Sequence, residues 1–162
     1  MKLLVVAFLS TLAFAAHAKG IEGQYSVEKP TMVWATSEDD CLSDKGTWHR
    51  EDEVCELTVR DSVEVKKVGQ KYKLDIVTIG SNYHMCAFQE SAQLVGTNKL
   101  VSKVDAEEYS PETGELKKVQ CVVTATLNKK NQMDLTNNGH CQSFCGANAW
   151  LEASGLAKAK KL

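Results

Sequence analysis

The sequence contains little of what marks several large classes of protein. It has only two Pro among 162 residues, and its 19 Lys and Arg are balanced by 21 Asp and Glu. These proportions exclude a collagen, a coiled coil and a disordered tail. The formal net charge of -2 provides no basic field, which argues against nucleic acid or an anionic membrane as the main partner. What remains is one small globular domain.

The start of the chain has the three-part form of a secretory signal peptide. Lys2 supplies a short basic start, residues 3–14 are almost entirely apolar, and Ala16-His17-Ala18 has the small-x-small form of a cleavage site. The apolar run is shorter than the roughly 20 residues that span a bilayer. The sequence therefore predicts a signal peptide over residues 1–18, a single domain over residues 19–162, no membrane anchor, and export to the periplasm or the medium.

Alternation of apolar and polar residues dominates the rest of the chain. Cys55, Leu57 and Val59 share one face of an extended segment, which is the pattern of a half-buried strand. The pattern recurs between turn signals that contain Gly and Asn. Eight strands are predicted, over residues 23–35, 55–68, 71–79, 86–96, 99–107, 116–127, 132–137 and 147–152. The tail over residues 154–161 indicates a short helix or a frayed end.

Eight strands in up-and-down order bring the last strand antiparallel to the first. Such a sheet can close into a barrel whose interior is filled by side chains or holds one small ligand. We therefore predict an all-β fold, an eight-stranded antiparallel up-and-down barrel (meander). In that topology all six Cys fall at one end of the barrel. The longer predicted loops lie at the same end, over residues 36–54, 80–85, 108–115 and 138–146.

The cysteines favour three disulfides. An even number of Cys in an oxidising compartment argues for bridges over free thiols or zinc ligands. Closing a loop as long as the one between Cys41 and Cys55 stabilises a domain by roughly 3 kcal/mol. The expected pairs are Cys41–Cys55, Cys121–Cys141 and Cys86–Cys145. A local bond between Cys141 and Cys145 is the competing arrangement.

Residues 139–149 form the most distinctive stretch of the sequence. Two cysteines tie this segment down, and it offers His140, Gln142 and Ser143 as polar groups around Phe144. A preorganised loop loses less entropy on binding. We therefore predict that these four side chains contact a partner.

Several short motifs are similar to those of small exported bacterial β-domain proteins. The motifs are Gly23-x-Tyr25, Cys-Glu-Leu-Thr-Val at 55–59, Cys-Ala-Phe at 86–88, Cys-Val-Val at 121–123 and Cys-x-x-x-Cys-Gly-x-x-Ala at 141–149. The layout loosely resembles periplasmic lysozyme inhibitors, which insert a stapled or rigid loop into the cleft of the enzyme. That resemblance implies inhibition of lysozyme or another cell-wall hydrolase. The Ser-Gly-x-Tyr type of inhibitory motif is not found, and the sequence has only Gly80-Ser81-Asn82-Tyr83.

Catalytic and metal-binding interpretations have less support. Ser143, His140 and Asp134 could form a triad, but no Gly-x-Ser-x-Gly elbow accompanies them. Haem attachment needs Cys-x-x-Cys-His, and zinc needs reduced cysteines. The acidic residues of segment 105–115 gather in one hairpin around residues 111–114. Glycosidase carboxylates would need a cleft and opposed geometry. A solvated turn explains them better, and it could also steer the protein toward a basic partner. We predict no enzyme activity, no cofactor and no metal.

The aromatic residues leave an alternative function open. Trp34, Trp48, Tyr83 and Trp150 lie on or near the loop-rich end or the last strand. An eight-stranded barrel with a partly open mouth can hold a small apolar ligand. Two hypotheses therefore remain. The first is a monomeric exported inhibitor whose protein partner is a cell-wall hydrolase. The second is a lipocalin-like carrier of a small hydrophobic molecule.

Overall fold

A computed structural model describes residues 20–160, which form an antiparallel β-barrel. The strands are β1 (Gly23–Trp34), β2 (Thr47–His49), β3 (Val54–Val68), β4 (Lys71–Ile79), β5 (Met85–Val95), β6 (Lys99–Ser110), β7 (Glu115–Leu127), β8 (Gln132–Asn137) and β9 (Ala153–Lys158). Helix α1 (Glu38–Ser43) and two 3-10 turns (Ser81–Tyr83 and Gln142–Phe144) lie between strands. The predicted signal peptide, residues 1–18, lies outside the described residues.

Eight of the strands close the barrel. Its order is β1-β3-β4-β5-β6-β7-β8-β9, and β9 returns to β1 with Tyr25 opposite Lys158. All pairs are antiparallel, and the short strand β2 adds to the beginning of β3. The predicted all-β, eight-stranded antiparallel up-and-down barrel is therefore confirmed. Strands β1 and β3 to β8 lie where the sequence predicted strands, with small shifts at their ends.

The last strand lies later in the chain than predicted. The helix expected over residues 154–161 is wrong for the described part of that segment, because Ala153–Lys158 forms β9. Alanines and lysines suit a helix in isolation, but Leu156 is fully buried opposite Met133 and completes the barrel wall. Tertiary packing thus overrides a weak local propensity. Residues 147–152, predicted as a strand, instead cross the end of the barrel.

Side chains fill the barrel interior. Inward-facing residues recur at every second position, as strand geometry requires. The largest of them are at most 1% exposed, and they include Tyr25, Phe88, Leu74, Ile76, Leu100, Met133 and Leu156. Burying one such side chain contributes about 1.5–3 kcal/mol. The interior is therefore a packed core within the described residues.

Two strand pairs extend beyond the barrel at the end where the cysteines lie. Strands β1 and β3 stay paired as far as Trp34 opposite Val54, and strands β6 and β7 stay paired as far as Ser110 opposite Glu115. The loop predicted over residues 108–115 is therefore wrong, because regular pairing continues to a turn of four residues. Strands β4 and β5 lie between the two pairs on one side of the barrel, and β8 and β9 lie between them on the other side. The two extensions therefore start from opposite walls of the barrel.

The β1–β3 extension has a small core of its own. Strand β3 leaves β4 at Asp61, whose buried carboxylate accepts the Ile79 N–H at 2.8 Å and lies 2.7 Å from the Lys29 ammonium. Beyond this point the extension packs against α1 and β2, two elements that the sequence prediction missed inside its first long loop. The side chains that form the second core cluster are Val33, Cys41, Cys55 and Leu57.

All six cysteines form disulfides. The bonds join Cys41 to Cys55, Cys86 to Cys145 and Cys121 to Cys141. The predicted connectivity is confirmed, and the local Cys141–Cys145 alternative is wrong. Strand direction places all three bonds at one pole of the barrel, which we call the cysteine end. Three disulfides are typical of a protein exported to an oxidising compartment.

We expect the Cys41–Cys55 bond to stabilise the β1–β3 extension more than the barrel. The double variant Cys41→Ala/Cys55→Ala should lower the free energy of local unfolding of the extension by about 3 kcal/mol. Hydrogen exchange should become faster over residues 35–57 while the amides of β4 to β8 keep their protection. An equal loss of protection throughout the barrel would show that the extension and the barrel form one cooperative unit.

Candidate partner-binding site

Residues 138–152, the lid segment, connect β8 to β9 by crossing the cysteine end of the barrel. Cys121 on β7 binds the segment at Cys141, and Cys86 on β5 binds it at Cys145. The second bond is accompanied by a short antiparallel bridge between the same two residues. The lid segment is therefore covalently attached to two strands that are not neighbours in the sheet.

Hydrogen bonds fix the second half of the lid segment. The Gly146 N–H donates to the Met85 carbonyl at 2.9 Å, and the Thr78 hydroxyl donates to the Trp150 carbonyl at 2.7 Å. Thr78 faces inward and is 1% exposed, so this bond satisfies a buried polar group. Ala149 is buried as well. The lid segment is thus held along its length and covers the mouth of the barrel.

Three of the four predicted contact residues have exposed side chains on this segment. They are His140, Gln142 and Ser143. The His140 Nδ1 atom lies 3.2 Å from Glu108 Oε2, and the Gln142 amide donates to the Gly146 carbonyl at 3.2 Å. The structure therefore brings the polar members of the predicted set together at one edge of the cysteine end.

Phe144, the fourth predicted residue, is half-buried. Its ring packs edge-on against Phe88, with ring centroids 5.1 Å apart and an interplanar angle of 72°. This T-shaped arrangement is favourable for two aromatic rings. Phe144 therefore attaches the lid segment to the core, so its ring can offer a partner only its outer edge.

The space that Phe144 occupies exists because β5 and β6 diverge. These strands pair only between Gln93–Val95 and Lys99–Val101, close to their connecting turn. Toward the cysteine end they separate, and the Ser102 hydroxyl bridges to the Ser91 carbonyl at 2.8 Å. The 3-10 turn Gln142–Phe144 contacts both strands and fills the wedge between them.

An open cleft of about 690 Å³ lies between the lid segment and the β6–β7 extension. It is lined by Asp105, Ala106, Glu107, Lys118, Val119, Ser143 and Phe144. Alanine, valine and phenylalanine make part of the lining apolar, while carboxylates and one ammonium stand at its sides. Such a cleft can accept an apolar side chain flanked by charged or polar groups.

The β6–β7 extension, which we call the arm (residues 104–121), carries paired charges and an exposed apolar pair. Glu107 lies opposite Lys118, and Glu108 lies opposite Lys117. Tyr109 and Leu116 lie opposite each other nearer the tip, and both are exposed. Cross-strand pairs of opposite charge stabilise an antiparallel ribbon. The arm is therefore a regular ribbon that ends in an exposed turn of four residues, which is shorter than the predicted loop.

The residues considered for catalysis do not form a linked set among the described contacts. Asp134 accepts hydrogen bonds from the Gly155 N–H at 2.7 Å and the Asn128 amide at 3.1 Å, whereas His140 pairs with Glu108. Within residues 20–160, no group of three or more His, Cys, Asp or Glu is placed to hold a metal ion. The same residues include no helix that is long and apolar enough to cross a membrane.

Two of the groups with shifted pKa values lie in β1 and at the start of α1. Burial raises the pKa of the Tyr25 phenol, whose hydroxyl donates to the Ile21 carbonyl at 3.0 Å. Hydrogen bonds from the Thr36 and Ser37 hydroxyls lower the pKa of the Asp40 carboxyl at the start of α1. Both groups serve local structure, and neither belongs to the lid segment.

The sequence analysis placed the acidic hairpin at the cysteine end but missed that β6 and β7 stay paired as far as Ser110 and Glu115. Two signals could have revealed this pairing. Apolar Tyr109 and Leu116 continue the alternation of their strands on both sides of the Pro111–Gly114 turn, and oppositely charged residues stand at matching distances from that turn. Pairing residues outward from that turn would have extended the two strands to Ser110 and Glu115.

We predict different consequences for two adjacent substitutions in the lid segment. Phe144→Ala removes the contact with Phe88 and should lower the free energy of unfolding by about 2 kcal/mol, because the ring is only half-buried. Ser143→Ala changes an exposed hydroxyl and should stay within about 0.5 kcal/mol of the parent chain. Denaturant unfolding measures both. Equal stability of the two variants would contradict the attachment role of Phe144.

Gly80 provides a test of how closely the lid segment is packed. A Cβ atom added there would lie 1.8 Å from the Asn148 carbonyl oxygen, a backbone atom. Gly80→Ala should therefore cost about 1–3 kcal/mol in unfolding free energy, while Ser81→Ala next to it should be nearly neutral. An unchanged melting temperature for Gly80→Ala would mean that the lid segment shifts freely.

Comparison with known proteins adds no assignment to this geometry. No protein-family model matches the chain, and no curated protein and no solved structure is significantly similar to it. The functional argument therefore depends on the barrel, its disulfides, the lid segment and the arm.

Proposed function

We propose that this chain is an exported binding protein that inhibits lysozyme or another cell-wall hydrolase through its cysteine end. The observation that carries the proposal is the double covalent attachment of the lid segment at Cys141 and Cys145, which holds exposed His140, Gln142 and Ser143 in fixed positions. Because little conformational entropy is lost when a rigid loop binds, such a loop suits insertion into an enzyme cleft.

The charges beside the lid segment suggest the sign of the partner. The arm and its turn carry five carboxylates, at Asp105, Glu107, Glu108, Glu112 and Glu115, against the ammonium groups of Lys117 and Lys118. An acidic excess next to a rigid loop accelerates encounter with a basic enzyme and makes the association rate sensitive to salt. A cationic hydrolase is therefore the favoured partner class.

The carrier hypothesis receives less support. Buried side chains occupy the barrel axis within the described residues, and the lid segment crosses the mouth through which a ligand would enter. The 690 Å³ cleft is open to solvent and partly charged, which does not suit a purely hydrophobic molecule. We therefore keep inhibition as the proposed function.

Inhibition assays with lysozymes of the c, g and i types test the proposal. The parent chain should slow the clearing of a peptidoglycan suspension by at least one of these enzymes. Replacing Gln142 and Ser143 together by alanine should weaken inhibition about tenfold, which corresponds to about 1.4 kcal/mol of contact energy. The melting temperature should change little, because both side chains are exposed.

The matched control is Gln70→Ala, which removes the same type of side chain at the opposite pole. Gln70 is exposed in the turn between β3 and β4. The Gln70→Ala variant should inhibit lysozyme as strongly as the parent chain. Failure of the parent chain to inhibit or bind any of the three lysozyme types would contradict lysozyme as the partner, and equal effects of Gln70→Ala and the double variant would contradict the assigned surface.

A further inference from the structure

Three large aromatic side chains are exposed at the cysteine end, on the side away from the arm. Trp34 at the end of β1 is 74% exposed, Tyr83 is 55% exposed, and Trp150 in the lid segment is 63% exposed. Single exposed apolar residues are common, but a group of them indicates an interaction surface. None of these rings stacks on another aromatic ring within residues 20–160. Their faces are therefore available to a ligand.

Backbone contacts join the three residues into one strip. The Trp34 N–H donates to the Asn82 side-chain oxygen at 2.6 Å, which brings the end of β1 against the residue before Tyr83. On the other side of the same loop, Gly80 packs against the Asn148 backbone, two residues before Trp150. We call Trp34, Tyr83 and Trp150 the aromatic strip.

The middle of the strip is held in an unusual backbone conformation. Asn82 and Tyr83 have φ angles of +53° and +56°, in the left-handed region that non-glycine residues rarely occupy. The Gly80 N–H donates to the His84 carbonyl at 2.7 Å and closes the loop around them. Conformations of this kind persist where surrounding contacts enforce them, and they cluster at ligand sites.

The strip is also free of strong charge. The three segments that meet there, residues 30–37, 76–89 and 135–151, contain no Asp, Glu, Lys or Arg, although 25% of the chain is charged. The polar side chains next to Tyr83 and Trp150 in the chain are hydroxyls and amides, from Ser81, Asn82 and Asn148. These segments offer a charged ligand no counter-charge, whereas a ligand with hydroxyl groups and flat apolar faces would find both kinds of contact.

We infer that the aromatic strip binds a neutral oligosaccharide, in particular a β-1,4-linked chain of pyranose rings. The equatorial substituents of such sugars leave flat faces of C–H groups that stack on indole and phenol rings. Sugar hydroxyls can bond to the amides and hydroxyls next to those rings.

Titration of the full mature chain with the hexamer of N-acetylglucosamine tests the inference. Binding should change the tryptophan fluorescence, because Trp34 and Trp150 are exposed, and calorimetry should give the dissociation constant. Trp34→Ala and Trp150→Ala should each weaken binding about threefold to tenfold, the range expected from the loss of one aromatic stacking contact. Cellohexaose in a parallel titration shows whether acetamido groups contribute.

Two variants serve as controls. Val68→Ala removes an exposed apolar side chain at the opposite pole, and Trp48→Phe alters a half-buried tryptophan beside the second core cluster. Both should bind the hexamer like the parent chain. The inference is overturned if neither sugar binds at millimolar concentration, or if Trp34→Ala and Trp150→Ala bind the sugar as tightly as the parent chain. Because the sugar titration needs no enzyme, its outcome is separate from that of the proposed inhibition.

Discussion

The cysteine end depends on one constraint, the covalent attachment of the lid segment to both β5 and β7. Strand β6 lies between these two strands but pairs with β5 over only three residue pairs, so backbone hydrogen bonds do not close the barrel wall near the cysteine end. The Cys86–Cys145 and Cys121–Cys141 bonds span that opening, and Phe144 fills it by packing on Phe88. Without the two disulfides and Phe144, the barrel wall would be open next to the lid segment, where His140, Gln142 and Ser143 must be held in place.

The same pole combines elements of different chemistry. The arm supplies acidic groups and an exposed apolar pair, the lid segment supplies neutral polar side chains, and the aromatic strip supplies uncharged rings. The opposite pole has short turns between long strands. The strands of the barrel thus form a rigid scaffold, and the segments at the cysteine end present the exposed side chains. This arrangement is usual for scaffolds that carry binding loops.

Strand alternation and cysteine placement made most of the fold predictable. Once the directions of the strands were known, the position of Cys86 near the beginning of β5 and of Cys121 where β7 leaves the arm limited the partners that the remaining cysteines could reach. The position of β9 was not predictable in this way, because Leu156 becomes a wall residue only when the barrel closes. The hairpin around Pro111 was predicted, but its strands were ended too early because the acidic residues there have the composition of a loop, although their register is that of a ribbon. Asn82 is of a type that tolerates the left-handed region, but nothing in the local sequence predicts the same conformation for Tyr83.

The up-and-down topology has a practical consequence for immobilisation. Strand β1 begins and strand β9 ends at the pole opposite the disulfides, where Tyr25 faces Lys158. A linker fused to either end of the described chain would thus start at the pole opposite the cysteine end. Coupling the linker to a surface would point the cysteine end away from that surface. Biosensor chips prepared through such a tail would orient the lid segment, the arm and the aromatic strip toward the flowing analyte.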